Sequence, residues 1–479
     1  MSLSSALNSA MSGLTAASRA SGVVSDNIAN AMTPGYARRS LELASAVVTG
    51  PGVRIVGIQR HSDPAMVANR READADQGHA KAVADFQARF VTLVGSATDS
   101  NSINARVTEF ENSLLFAASN PGSPQRLDAV AAAAGDLATA INDAAEGLRQ
   151  MRTQADISIG VQVDRLNVAL SDVKTLNVRI ATTMNSGGDV SALMDQRQVL
   201  VDEINEIVPI NLAERDRGQI ALYTNGGAIL LDGSAATLGF STTNNTVPEM
   251  TVDNGGLSGL EINGISVNMR AISGGTLAAG FEIRDDLAVS AQADLDAVAR
   301  DLIERFETAS LDATTAPGDA GLFTDGGAAF DPLLEVGLSG RLSLNAVVDP
   351  AQGGDSWRLR AGLGAAGPGM PGEARQLRAF SDILNEARAP GSTAFGTGLV
   401  TAAGISSSLM SRAAQHSAAA DSALSFASAA KTETTRIELA QGVDTDAEMQ
   451  TLMIVEQAYG ANARMIKAID EMMETLLRL

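Results

Sequence analysis

The chain has 479 residues, with Lys+Arg 35 against Asp+Glu 56, a net charge of −21, no cysteine, and 3% aromatic residues beside 45 glycines. An acidic chain with no basic run repels phosphate backbones and anionic headgroups, which excludes nucleic acid and membrane surfaces as partners. The missing cysteines exclude disulfides, thiolate metal sites and cysteine nucleophiles. The length suits several domains. Abundant Ala and Gly favour long helices with small contact residues over one large aromatic core. No apolar run is long enough to span a membrane, and no apolar h-region follows Met1. A cleaved secretory signal is therefore not expected; the chain is cytoplasmic or leaves by a route without one.

In chain order, Leu3, Leu7, Ala10, Leu14, Ala17, Ser21, Val24 and Ile28 follow alternating steps of four and three. That spacing keeps a narrow stripe on one face of a helix, the seam that two helices share in a coiled coil. The helix should stop at Thr33-Pro34-Gly35, because proline disfavours helical geometry in the residue before it and glycine permits the turn. RRSLELASAVV and, after Gly50-Pro51-Gly52, VRIVGIQR alternate as strands do and predict a short hairpin or extended arm. Helical sequence then runs from about Asp63 to Val208, with breaks at Ser100-Asn101-Ser102, Asn120 to Pro124 and Ser186-Gly187-Gly188. Between the last two breaks, Leu127, Val130, Leu137, Ile141, Leu148 and Met151 share a face, as in an antiparallel bundle.

At Val208-Pro209 the pattern changes. QIALYT-NGG-AILLDG, LGFSTT-NN-TVPEMTV and LEI-NG-ISVNM are short alternating runs joined by Asn/Gly turns, which predict a small antiparallel β module. A helix returns over about Thr276 to Ala309. LEVGLSGRLSLNAVV and SWRLRAG read as strands, and a short helix carries Leu377, Phe380, Ile383 and Leu384. From about Phe395 the chain is helical to the end. There Leu452, Val455, Tyr459, Asn462, Ile466, Ile469, Met473 and Leu476 repeat the three–four step of the first helix.

The predicted fold is therefore α+β: an elongated multi-domain rod with its N- and C-terminal helices paired as a coiled coil, a long helical bundle, and a β-rich outer domain inserted in the middle. The expected divisions are an axial helix and turn at 1–40, arm and bundle at 41–208, outer domain at 209–275 and 311–395, a bundle helix at 276–310, a helical return at 396–439 and the C-terminal axial helix at 440–479. Ordering a residue costs about 1–2 kcal/mol of backbone entropy. A buried aliphatic side chain returns roughly 1.5–3 kcal/mol, with only about two per heptad on this seam. The small seam residues Ala10, Ala17 and Ser21 lower that return. The ends are thus expected to be weakly ordered in a free monomer and ordered in an assembly, with Leu3, Leu7, Leu14, Val24, Ile28, Leu452, Val455, Tyr459, Ile466, Ile469, Met473 and Leu476 as the interface.

No constellation for catalysis, cofactor or metal emerges. His61, His79 and His416 are scattered and read as solvated. Gly362, Gly364 and Gly367 spell GxGxxG, but GPGMPG follows and cannot open the helix that a dinucleotide loop requires. Asp444, Asp446 and Glu448 lack the glycine and the distant Glu of a calcium loop. They read as a capping box with Thr445 as N-cap and Glu448 at N3.

The segment SDNIANAMTPGYARR (Ser25 to Arg39) resembles the signature of the bacterial flagellar rod, hook and hook-associated proteins, in which a helix ends in a form of NNIANxxTPGY. Asn27, Asn30, Thr33, Pro34, Gly35 and Tyr36 match it, and Asp26 replaces the first Asn. The C-terminal stretch is similar to the family's other signature through Gln457-Ala458-Tyr459, Ala461-Asn462-Ala463, Asp470-Glu471-Met472 and Leu476-Leu477. Internal segments Gly52 to Asp74, Ala118 to Ala138, Asp195 to Val208 and Gly275 to Leu287 are similar to the family member that begins the junction between hook and filament. The resemblance is weak over 210–274 and 311–395, and ETASLDATTAPGDAGLF after Phe306 departs from an Asn/His/Gly pattern.

The resemblance implies a structural, non-enzymatic protein without cofactors, exported through the flagellar type III channel and located outside the cell on the flagellum. It implies as partners a ring of copies of itself, the hook protein, a second junction protein, and a cytoplasmic export chaperone on the C-terminal helix. A hook or distal-rod protein is the alternative within the class. A secreted enzyme or adhesin carried on flagellar-type ends, active in 209–395, is the alternative outside it.

Overall fold

The computed structural model describes residues 3–45 and 52–478. Helix α1 (Leu3–Ala29) leads through a turn into strands β1 (Arg39–Ser45) and β2 (Val53–Arg60). These pair antiparallel, from Arg39↔Arg60 to Ser45↔Val53, with a bulge after Glu42. The connection read at Gly50-Pro51, and Ala46 to Val48 of the first strand run, lie outside the described residues.

Four helices follow: α2 (Pro64–Val94), α3 (Ile103–Ser119), α4 (Pro124–Asn185) and α5 (Ser191–Ile207). Asp63 caps α2, its Oδ1 accepting from Ala65 N at 2.9 Å ahead of a proline in the first turn, the arrangement that satisfies N-terminal amides without costing a helical bond. Ser102 caps α3 by accepting from Ala105 N. The interruptions fall where the Asn-Pro-Gly and Ser-Gly-Gly clusters predict them. Helix α4 has 62 residues, about 93 Å at 1.5 Å per residue.

Strands β3 (Ile210–Glu214), β4 (Ile220–Thr224), β5 (Ile229–Asp232) and β6 (Ser234–Ala235) form one antiparallel sheet in that order. A second contains β7 (Leu238–Gly239), β8 (Glu261–Ile262) and β9 (Ile265–Ser266). Helix α6 (Gly275–Glu282) runs through a π turn at Ile283–Leu287 into α7 (Ala288–Phe306). Strands β10 (Phe323–Asp325) and β11 (Leu342–Leu344) pair antiparallel. Helices α8 (Arg358–Ala361), α9 (Arg375–Asn385), α10 (Ala402–Ala440) and α11 (Thr445–Leu477) complete the chain. The fold is mostly helical with small antiparallel sheets, an α+β composition.

Two cores share α4. In the first, Leu127, Leu137, Ile141 and Leu148 of its N-terminal half meet Phe110, Leu295, Leu302, Phe380 and Leu409. Phe110, Phe306, Phe323 and Phe380 stack in a chain with ring centroids 5.3–5.7 Å apart, so a compact aromatic centre does exist within an aromatic-poor chain. In the second, Ile159, Val163, Leu166, Leu170 and Val173 meet Ile204, Leu222, Leu231, Leu277 and Phe281.

The two stretches expected to form one outer domain supply residues to both cores: Leu222, Leu231 and Leu260 to the second, Leu322, Leu342 and Leu359 to the first. Two strand readings are corrected. SWRLRAG is not a strand; Arg358–Ala361 is a helical turn. There Arg358 Nη1 donates to Leu363 O and Ala365 O, and Arg360 to Pro121 O and Pro368 O. Two arginines therefore fold the Gly-rich loop back on itself, in place of a strand followed by a phosphate loop. Asn244-Asn245 does not close a hairpin, since β7 pairs with β8 instead. The stretch between them is held along α4, with Arg152 Nη2 donating to Met250 O at 2.6 Å and Thr153 Oγ1 bonded to Thr246 Oγ1 at 2.7 Å.

Candidate functional site

The side chains that the terminal motifs single out converge where α1, the arm, α5 and α11 meet. Helices α1 and α11 run antiparallel. The ideal Cβ position of Gly13 lies 2.8 Å from the Asn462 amide, and Asn27 touches Glu448. As the α1 partner advances by fourteen residues, the α11 partner retreats by fourteen. Glycine at 13 is what lets the backbone approach the Asn462 side chain so closely.

Asn27 is fully buried and uses all its hydrogen-bonding capacity. Its Nδ2 donates to Arg39 O at 2.8 Å and to Glu448 Oε2 at 3.1 Å; its Oδ1 accepts from Tyr36 Oη at 2.8 Å and from Arg39 N at 3.0 Å. Glu448, 1% exposed, also accepts from Arg38 Nε at 2.7 Å. The turn between is tied by Thr33 N to Asn30 O at 2.9 Å, with Asn30 Nδ2 donating to Asp26 O. Gly35 adopts φ +76, and a Cβ there would stand 2.6 Å from Val199 Cγ2; only glycine accepts both the left-handed backbone and that contact. Pro34 is exposed. Burial raises the Tyr36 phenol above its ordinary value. The Arg39 guanidinium, 4.7 Å from the ring centroid, opposes this, while the carboxylates of Asp26, Asp195 and Glu448 add to it.

The next shell of contacts fastens the arm to α5. Asp195 accepts from Arg39 Nη2 at 2.5 Å and from Arg60 Nε at 2.7 Å, so one carboxylate holds both strands. Arg197 donates to Asn177 Oδ1 and Gly218 O; burial, with the Arg60 charge nearby, pulls its guanidinium down to about 10. About two turns on from Asp195, Asp202 accepts from Arg70 Nη2 at 2.7 Å and Arg71 Nε at 2.6 Å. Arg70 also pairs with Asp74 and with Glu438 at the end of α10. Burial alone would lower Arg70, but Asp202, Glu438 and Asp74 together raise it.

Of the residues expected at the interface, Val24 and Ile469 are buried. Leu3, Leu7, Leu14, Ile28, Leu452, Val455 and Ile466 are half-buried, and Tyr459, Met473 and Leu476 are exposed. Helix α1 buries Ala10, Ala16, Ala17, Val23, Val24 and Asn27 because the arm covers one flank and α11 the other. Helix α11 buries only Glu448 and Ile469, leaving Met449, Met453, Ile454, Met465, Met472 and Leu476 exposed.

Sequence alone assigns Glu448 only a capping role, with Thr445 as N-cap; the N-cap is Asp444, whose Oδ1 accepts from Asp446 N and Ala447 N. The available signal was phase: Glu448 lies four residues before Leu452, on the seam itself, where a carboxylate must find partners. His79 is likewise not a solvated residue; it is half-buried, with Nε2 2.9 Å from Glu282 Oε2. Among the described residues no group of three or more His, Asp or Glu is gathered to hold a metal, and no helix is long and apolar enough to cross a membrane.

The profile of the Flagellar hook-associated protein FlgK helical domain matches residues 92–323. Flagellar hook-associated protein 1 of Escherichia coli (strain K12) is 29% identical over 243 residues, covering 49% of this chain and 44% of that protein. The Salmonella typhimurium protein of the same name is 31% identical over the same share of each. That of Bacillus subtilis (strain 168) is 23% identical over 512 residues, covering 98% of this chain and 97% of that protein.

The chain is similar to flagellar hook-associated protein 1.

Its alignment spans less than half the length of the two enteric hook-associated relatives. Two further profiles fall on the ends of the chain: Flagella basal body rod protein over 7–36, and Flagellar basal body rod FlgEFG protein C-terminal over 440–479. They coincide with α1 and its turn, and with α11 as far as that helix is described. The solved flagellar hook junction protein FlgK of Burkholderia pseudomallei superposes with a TM-score of 0.45 at 19% identity, covering 54% of this chain and 47% of that one.

Proposed function

We propose that this chain is a structural component of the bacterial flagellum that joins hook to filament, its α1 and α11 packing with the same helices of neighbouring copies in a ring. The observation that carries this reading is the asymmetry of the terminal pair. Helix α1 is covered on two sides, whereas α11 keeps a methionine- and leucine-rich face in solvent along its length. A face of that extent marks a contact surface on a soluble chain, and unbranched methionines repack readily against different neighbours.

The protein leaves the cell through the flagellar type III apparatus, with a cytoplasmic chaperone covering α11 beforehand. It then builds on the hook protein and receives a second junction protein. The terminal pair is the axial unit, the arm is its connector, and the two-core body lies outside.

The test is complementation of a strain lacking its own gene for this protein. The full chain should restore filaments on hooks. A chain lacking 445–477 should leave hooks bare while the body keeps its helical circular dichroism. Filaments of normal number from the truncated chain would overturn the proposal.

A further inference from the structure

We propose that Glu448 is a latch: by reading α1 and the arm with one carboxylate, it makes folding of the arm conditional on docking of the C-terminal helix. The inference stands on geometry and holds whatever the chain assembles with.

Three observations carry it. First, the arm has no core of its own: no residue of β1 or β2 is buried, and a two-stranded hairpin alone is marginal in water. Its order must come from ties at its base. Second, beside the Asp195 tie that fastens both strands to α5, the ties of the arm to the terminal helices run through Asn27, which is wholly enclosed and bonded to both backbone groups of Arg39, to Tyr36 and to Glu448. Arg38 binds the other Glu448 oxygen, so the carboxylate spans the whole turn from helix to strand. Third, Glu448 is the only buried polar residue of α11. When α11 is absent, Asn27 loses one of two acceptors and Arg38 its carboxylate, while α1 loses one of its two flanking neighbours. Unsatisfied, the turn has little reason to hold one geometry, and the strand that continues from it opens. The same contacts set the register: slipping α11 by one turn along α1 withdraws the carboxylate from Asn27 and places an apolar residue or an unpaired charge against a buried amide.

The experiment is hydrogen exchange read by mass spectrometry on the full chain, following peptides from the arm (37–45 and 52–61) and from α11. Glu448→Ala should speed exchange in the arm and in α11 together, by roughly ten- to a hundredfold, the range expected for losing one or two charge-assisted hydrogen bonds. Glu448→Gln keeps an acceptor for Asn27 and should fall between. Glu474→Gln removes a carboxylate of the same helix that meets only exposed Arg478 and should change neither. If neither segment of the parent chain is protected in dilute buffer, trimethylamine N-oxide is added until α11 is, since that osmolyte favours the folded state; the arm should gain protection over the same range. Arm protection that persists when α11 exchanges freely, or that stays absent once α11 is protected, overturns the latch.

Discussion

Arg284 and Asp156 form an ion pair with neither side chain exposed, Nη1 to Oδ1 at 2.7 Å. Arg284 lies in the π turn between α6 and α7, where Asp285 clasps its other two nitrogens at 2.8 Å and the Phe281 ring centroid lies 4.9 Å away. Burial lowers this guanidinium, but Asp285 and Asp156 outweigh it and the net direction is up. The second oxygen of Asp156 accepts from Thr243 N, so the pair also fastens the stretch that sequence mistook for a hairpin. Asp156→Ala should cost about 2–4 kcal/mol, because Arg284 Nη1 and Thr243 N lose their acceptor while Asp285 still pairs the guanidinium. It should also expose 240–250 to protease. Urea melts and fragment mapping measure both, and Asp156→Asn, which keeps an acceptor, should lose less.

Gly35→Ala places a methyl group 2.6 Å from Val199 Cγ2 on a backbone at φ +76. The left-handed strain alone costs roughly 1–2 kcal/mol, and the contact adds to it. The expected result is faster exchange at Tyr36 to Arg39 with the body's thermal transition unchanged. Val199→Ala in the same chain should recover the steric share and leave the strain.

Ile466 is half-buried on α11 between the exposed Tyr459 and Met473. Ile466→Asp should abolish incorporation into flagella and leave the isolated body with its normal circular dichroism and melting temperature. Normal flagella from the mutant strain would show that this seam does not carry assembly.

The hydrogen bond from His79 holds Glu282 below the usual carboxylate range, against an opposing contribution from burial. A carboxylate depressed in the folded state contributes stability above its unfolded pKa and loses it as pH falls through the folded one. The α2–α6 contact should therefore be at full strength above about pH 4.5, the ordinary Glu value, and weaken progressively in more acid solution. His79→Gln should flatten that acid limb. The check is the slope of the melting temperature against pH for parent and mutant.

Much of the helical frame was legible because helix breaks are local chemistry: Asn120-Pro121-Gly122 and Ser186-Gly187 stop helices wherever they sit. The three–four step of Leu452, Val455 and Ile466 likewise marks a seam without knowledge of its partner. What could not be read is decided by contacts distant in sequence. Glu448 looks like a helix-start residue until Asn27 is placed against it. SWRLRAG alternates like a strand, yet Arg358 and Arg360 find carbonyl acceptors at Leu363 and Pro121 that only the folded chain provides. The assignment of 209–275 and 311–395 to different cores was hidden because α4 looks the same along its length, and nothing local says which half receives which neighbour.

The 62-residue helix that both cores share also fixes how the molecule responds to load. A twist applied at one end passes along one continuous helix, held by the first core as far as Leu148 and by the second from Ile159 to Val173. The softer part of the molecule is its base, where no residue of either arm strand is buried and the arm meets α5 through Asp195 and Gln198. Arg39 and Arg60 are thus the contacts by which the two arm strands answer to the body.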